Sequence, residues 1–428
     1  MILMMPPARK TKLRDLSLLL LLLLLLLFLL DRGAASKRVS SLRLARIRRH
    51  LDMINKPALR SIQSPDGDII DCVRSHKQLA LDHPLLKDHI IQRLPSERPA
   101  FSGGRVMSNS TITKQAWQNW HHVGHCPKGT IPVRRSSIDD VLRAKSLYHY
   151  GKKRHRRWPM NPGGRSAYAP DVVSGNGHEH AIAYTGTDQE LYGAKATINV
   201  WEPSIQVGNE FSLSQIWVLS GSFDGSDLNS IEAGWQVSPE LYGDSRPRLF
   251  TYWTSDAYQV TGCYNLLCSG FIQTNNKIAI GASISPISSF DGNQFDISIL
   301  IWKDPKLGDW WMSFGDDMLV GYWPAELFTH LTDRATMVEW GGEVVNTRSD
   351  GRHTSTQMGS GRFAEEGFAR SSYFRNLEIV DADNSLSPVQ SITTLAENPN
   401  CYDIKSSANS DWGTYFYYGG PGSNPRCL

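Results

Sequence analysis

Two stretches of this 428-residue chain set a carboxylate beside a glycine on one side of an alternating pattern. In residues 231–237, Ile231, Ala233, Trp235 and Val237 alternate with Glu232, Gly234 and Gln236. In residues 337–345, Val338, Trp340, Gly342 and Val344 alternate with Glu339, Gly341 and Glu343. Successive side chains of a strand point to opposite faces, so each stretch has an apolar side and a side that carries acids. The glycine leaves space for a substrate backbone next to the carboxylate. Two carboxylates a few Å apart cannot both ionise cheaply, so one stays protonated while the other stays charged. Such a pair can take a proton from water and return one to a leaving nitrogen. The plain alternative is a solvent-facing strand side with ordinary surface acids.

Other chemistries find less support. His178-Glu179-His180 puts two imidazoles on one strand face, as chelation needs, but no third ligand and no His-Glu-x-x-His is evident. No Gly-x-Ser-x-Gly elbow, dinucleotide-binding pattern or P-loop occurs, and no cofactor or metal is expected. Gly359-Ser360-Gly361 reads as a turn. Trp235, Trp340 and Tyr322, with Trp310 and Trp311, could form the platform of a non-catalytic sugar- or protein-binding module, although aromatics of a large β-protein usually belong to its core. No Cys-x-x-Cys is present. Chain economy favours Cys263–Cys268 and Cys401–Cys427, which leaves Cys72 with Cys126.

The elements that must position the glutamates are short. From His178 onward, β-branched and aromatic segments at 195–201, 211–219, 231–237, 249–253, 277–284, 294–302, 310–314, 337–345 and 372–380 are separated by Gly, Asn, Asp and Ser. Phe295, Ile297, Ile299 and Ile301 keep a clean period of two. Strands without interleaved helices point to an all-β fold, a large antiparallel sandwich or barrel. Before it, helices are expected at 51–60, from Pro84 within 79–94, and at 136–144, with a strand at 69–73, which makes a small mixed α/β region.

Charge divides the chain in the same place. Residues 1–167 hold 31 Lys/Arg and 11 Asp/Glu, a net of +20; residues 168–428 hold 14 and 31, a net of −17. The acidic back part would repel phosphate, so nucleic acid is not a partner. A basic start followed by the apolar run 16–30 and small residues at 33–35 reads as a secretory signal, 1–35, with cleavage after Ala35. An uncleaved signal anchor is the rival; once the signal is cleaved, no membrane partner is expected. Residues 36–49 read as a poorly ordered leader within a front region 36–150. Residues 151–167, rich in Lys, Arg, Pro and Gly, read as an exposed linker open to proteolysis. Asn109 begins a glycosylation sequon, Asn109-Ser110-Thr111.

Longer motifs resemble one family. IEAGWQVSPELYGD (231–244), RLFTYWTSDAYQVTGCYNLLCSGF (248–271), GYWPAELFTHL (321–331), VEWGGEVVN (338–346), HTSTQMGSGRF (353–363) and YFYYGGPGSNPRC (415–427) resemble the neprosin family of plant secreted proteins. DCV (71–73), HPLLKDH (83–89) and CPKGTIPVRR (126–135) resemble its activation-peptide region. The resemblance implies a pro-region over 36–150 and a β-sandwich peptidase domain over 168–428. It implies a glutamic endopeptidase that cuts after proline in acid, with Glu232 and Glu343 catalytic and Glu339 in reserve. It further implies a monomer in the extracellular space, cell wall or vacuole, acting on proline-containing peptides or proteins and inhibited by its own pro-region. Charge opposition suggests that the basic front docks on the acidic back near neutral pH and loosens as carboxylates protonate.

Overall fold

A computed structural model describes residues 40–101, 113–153, 177–186, 189–222, 227–315, 317–348 and 351–428. The signal segment, Asn109 and the linker from residue 154 onward lie outside the described residues. No helix among the described residues is long and apolar enough to cross a membrane.

The front region opens with helix α1 (Ser41–Ile54) and continues into strand β1 (Ala58–Gln63). The helix therefore begins within the segment expected to be a loose leader, and it stops before Pro57, which cannot extend it. β1, β2 (Ile69–Arg74) and β3 (Thr130–Arg134) form a three-stranded antiparallel sheet closed by the Cys72–Cys126 disulfide. Helix α2 (Ile138–Arg143) starts at a capping box in which Ser137 and Asp140 exchange hydrogen bonds. The helix expected within 79–94 is replaced by short 3₁₀ turns at Leu79–Asp82 and Pro84–Leu86. Pro84 lacks an amide donor, and Leu85, Ile90 and Leu94 are exposed, so the apolar spacing there had no face to bury.

The back part is an all-β sandwich of two antiparallel sheets. The first contains β4 (His178–Tyr184), β6 (Ser212–Ser220), β7 (Asn229–Val237), β8 (Arg248–Thr254), β9 (Cys263–Tyr264), β13 (Met337–Val345) and β15 (Thr393–Ala396), in the spatial order β9-β8-β7-β6-β13-β4-β15. The second is built around β5 (Gly193–Asn199), β10 (Gln294–Lys303), β11 (Trp310–Phe314), β12 (Met318–Trp323) and β14 (Ser372–Val380), in the order β12-β11-β10-β5-β14. Of the segment 277–284, only Ile284–Ser285 pairs as a strand.

The alternation read in the sequence decides the layers. Ile231, Ala233, Trp235, Val338, Trp340 and Val344 face the second sheet and meet Ile198, Ile299, Ile301 and Phe374 in the main core. Trp235, Trp302, Trp310, Trp311, Trp340 and Tyr322 are fully buried, which rules them out as a platform for a surface ligand. Cys263–Cys268 and Cys401–Cys427 are closed within this part.

The front region is knitted into the sandwich. Ala100–Phe101 pairs in parallel with Ser385–Pro388, Thr113–Gln115 pairs in parallel with β10, and Trp117–Gln118 pairs with Ile284–Ser285. Its small core of Ile62, Ile70, Trp120 and the Cys72–Cys126 bridge is completed by Ala279 and Ala282. The front region thus finishes its core on the sandwich, as a fragment too small to bury enough apolar surface alone must.

Candidate active site

The other face of the first sheet carries the acids. Register places its side chains in three rows. One row runs Tyr252, Glu232, Trp217, Glu339, Tyr184. The next runs Phe250, Gly234, Gln215, Gly341, Ile182. The third runs Arg248, Gln236, Leu213, Glu343, His180. Glu232 shares a row with Glu339, whereas Glu232 and Glu343 occupy opposite corners of a diagonal with Gln215 at its midpoint. Strands lie about 5 Å apart and each residue advances about 3.3 Å. That diagonal is wider than the close carboxylate pair expected from the sequence.

None of the three glutamates is a surface acid: Glu232, Glu339 and Glu343 are at most 2% exposed. Gly234 and Gly341 flank Gln215 on both sides. A Cβ at Gly234 would lie 1.9 Å from the Ser214 carbonyl oxygen, and one at Gly341 2.3 Å from that of Ala181. The sheet itself therefore demands both glycines, in addition to any space they leave for substrate.

Glu232 accepts four hydrogen bonds. Gln215 Nε2 donates at 3.1 Å, Ser230 Oγ at 3.2 Å, Tyr258 Oη at 2.8 Å and Lys153 Nζ at 2.5 Å. Tyr258 reaches it from a hairpin loop in which Ala257 and Tyr258 both have positive φ, 53° and 62°. That backbone is uncommon outside glycine, and two consecutive cases mark a loop held in place by its surroundings. The Asp256 carboxylate holds it, accepting from the amides of Gln259, Val260 and Thr261 and from the Thr261 hydroxyl.

Lys153 belongs to the segment read as an exposed linker, yet residues 151–153 are packed into the site. Gly151 is buried and its carbonyl accepts from the Tyr264 amide. The Lys153 amide donates to Tyr252 Oη, and its ammonium lies about 5 Å from the Tyr252 and Tyr258 ring centroids (5.2 and 5.0 Å). Burial alone would lower the Lys153 pKa; the carboxylates of Glu232 and Glu343 outweigh it and raise it.

Glu343 is held differently. Burial pushes its pKa up, but Lys153, the hydrogen bond with His178 Nδ1 and the charge of His180 together hold it well below the usual carboxylate range. His180 Nδ1 pairs with Glu397 Oε2 at 2.9 Å. Burial opposes its protonation, yet Glu397, Glu343 and Glu339 push its pKa up to about 9. The two histidines considered as metal ligands are thus each engaged with a carboxylate. Lys153, Gln215, Ser230, Tyr258 and His178 escaped the sequence reading as partners of the glutamates. Gln215 had a legible signal: it sits at an alternate position of a strand whose apolar residues face the core.

The Neprosin family model matches residues 208–421, which contain both acid-bearing strands, and the Neprosin activation peptide model matches 61–184. The chain belongs to the neprosin family. Among solved structures, scytalido-glutamic peptidase with a peptide-based transition-state analogue gives a TM-score of 0.30 at 9% identity, over 57% of this chain and 98% of that one. SCP-B, an eqolisin-family peptidase in complex with the tripeptide Ala-Ile-His, gives 0.28 at 9% identity, over 56% and 96%. Likeness that loose carries no chemistry across.

The neprosin activation peptide meets the sandwich with less simple polarity than the charge totals suggested. Lys153 follows the expected sense, but the buried ion network reverses it. Arg248 of the sandwich pairs with Asp68 of the front region at 2.5 Å and with Asp244 at 2.5 Å, while Arg134 pairs with Asp68 at 2.8 Å. Net charge speaks to encounter, whereas individual buried pairs are set by local geometry.

Proposed function

We propose that this neprosin-family chain is the precursor of a secreted, acid-active glutamic endopeptidase that cuts proline-containing peptides after proline. One observation carries the reading. Glu232 is buried on the sheet face opposite the main core, and its paired cation, Lys153, comes from within the stretch that matches the activation-peptide model rather than from a strand of the sandwich. A carboxylate neutralised by a removable segment is stored, and once that segment leaves it is a group available for chemistry.

The two glutamates then divide the work. Glu343 loses Lys153, the largest of the charges that depress its pKa, but keeps His178 and His180 from its own sheet, which still favour its ionised form, and it serves as the base. Glu232 keeps the neutral donors Gln215, Ser230 and Tyr258 but loses the cation Lys153, and it serves as the acid. Water gives a proton to Glu343 while its oxygen adds to the scissile carbonyl carbon. The Glu232 proton moves to the carbonyl oxygen. Collapse breaks the C–N bond as Glu343 returns its proton to the leaving nitrogen, and the carbonyl re-forms as Glu232 is reprotonated. The leaving group after proline is an ordinary amide nitrogen and needs no special donor.

The test is cleavage of a proline-containing peptide at about pH 4 by processed wild type and by Glu232→Gln, Glu343→Gln and Glu339→Gln. Loss of about 10²–10⁴ in rate is expected for the first two, because glutamine keeps the shape but cannot cycle a proton. Loss in Glu339→Gln with retention in Glu343→Gln moves the base to Glu339; full activity in all three refutes the glutamic mechanism. A non-catalytic binding module is disfavoured by the burial of every aromatic it would have used.

A further inference from the structure

At the centre of the three rows stands a buried amide whose oxygen neither glutamate's role uses. Gln215 is fully buried and lies on β6, between the strands of Glu232 and Glu343. Its Nε2 donates to Glu232 Oε2 at 3.1 Å. Its Oε1 is inaccessible and takes no hydrogen bond from any described residue. A buried acceptor left without a donor is a cost that an apolar residue of the same shape would avoid. The cross-strand neighbours on its own row are Gly234 and Gly341, so neither sets a side chain against it. A costly acceptor flanked by glycines on the strand between two acids has the chemistry of a subsite, and the small group that suits a carboxylate, an amide oxygen and a peptide carbonyl together is water.

We propose that Gln215 is a third catalytic residue, whose amide oxygen holds the attacking water between Glu343 and the scissile carbonyl. The inference rests on the glutamic-peptidase reading and adds the group that fixes its nucleophile. One water hydrogen is donated to Gln215 Oε1 and is retained through the step. The other is donated to Glu343 and is transferred to it, which leaves an oxygen lone pair directed at the carbonyl carbon. The Nε2 end meanwhile stays on Glu232 and fixes the acid that protonates the carbonyl oxygen. A single planar amide therefore sets the distance between nucleophile and acid.

The experiment compares the full chain and its Gln215→Met and Gln215→Asn variants. Each is processed by added trypsin within the basic 154–165 segment, so that maturation does not depend on the variant's own activity. Methionine matches the shape and removes both polar ends; asparagine keeps the amide but withdraws it by one methylene. We expect kcat on a proline-containing peptide at pH 4 to fall about 10²-fold in Gln215→Met, the order of loss that misplacing a reacting group by about 1 Å produces. KM should stay within about threefold and the thermal midpoint should be equal to or above that of wild type. Asparagine should also lose kcat, and it decides the matter if the methionine variant does not fold. A kcat within threefold of wild type, or a loss confined to KM, overturns the role. Glu232→Gln and Glu343→Gln run alongside: full turnover in both removes the glutamic reading itself, whereas their inactivity beside an active Gln215→Met removes only the water-holding residue.

Discussion

Replacing Lys153 by methionine should unlatch the precursor at neutral pH and leave it little changed in acid. The substitution keeps the length and the apolar stem that lies against Tyr252 and Tyr258, and removes only the charge that meets Glu232 Oε2 at 2.5 Å. Glu232 is fully buried and the Lys153 side chain is 10% exposed, so breaking the pair strands a carboxylate away from water. Removing one member of a buried pair costs about 3–5 kcal/mol. Glu232 can escape part of that by taking a proton. At pH 7, a carboxyl with a reference pKa near 4.3 pays roughly 3.7 kcal/mol to do so, which caps the penalty; at pH 4 the cost is close to zero. Closure of the segment 150–153 should therefore weaken by about 10²–10³-fold at pH 7, at 1.4 kcal/mol per factor of ten. Amide hydrogen exchange reports it through the Lys153 amide, bonded to Tyr252, and the Tyr264 amide, bonded to Gly151. Both should lose that much protection at pH 7, and the difference from wild type should shrink at pH 4. Unchanged protection at pH 7, or an equal loss at both pH values, would refute the latch.

Three further outcomes follow from the same geometry. The Glu343 pKa is depressed while the front region is docked, so its contribution to docking is complete above its ordinary value near 4.5, is only partly reduced at pH 4 and is lost as pH falls on through the docked value; precursor held at pH 7 should stay whole and inactive, should begin to loosen at pH 4, and should release the front region more fully at each lower pH, read by mass and peptide cleavage. His180 has the opposite sign: raised from 6.5 to about 9, it contributes stability present below pH 6.5 and lost as pH rises through 9, worth up to about 3 kcal/mol. Glu397→Gln should lower the urea midpoint at pH 6 and converge on wild type above pH 9. No disulfide joins the front region to the sandwich among Cys72–Cys126, Cys263–Cys268 and Cys401–Cys427, so non-reducing peptide mapping of processed protein should find the front region free to leave without reduction.

Much of this molecule is legible in its order of residues, because strand alternation is a local property. Ile231, Ala233, Trp235 and Val237 against Glu232, Gly234 and Gln236 already separate a core side from a working side, and the short β-branched segments from His178 onward already imply an all-β sandwich or barrel. The sequence by itself determined which residues share a face. It could not determine which strands are neighbours, because the pairing of β6 with β13 joins residues more than a hundred positions apart. Only that pairing sets β6 between the two acid-bearing strands, makes Gln215 the midpoint of the Glu232–Glu343 diagonal and puts Glu339 in the same row as Glu232. Local composition misled at Lys153: a run of Lys, Arg, Pro and Gly reads as exposed because charge prefers water, and tertiary structure reversed this by supplying a buried carboxylate for the ammonium. The same reason explains Asp68 and Arg248, whose buried pairing runs against the net charge of the regions that carry them. Periodicity predicts what a segment can bury; whether anything is there to cover it is decided by the rest of the fold.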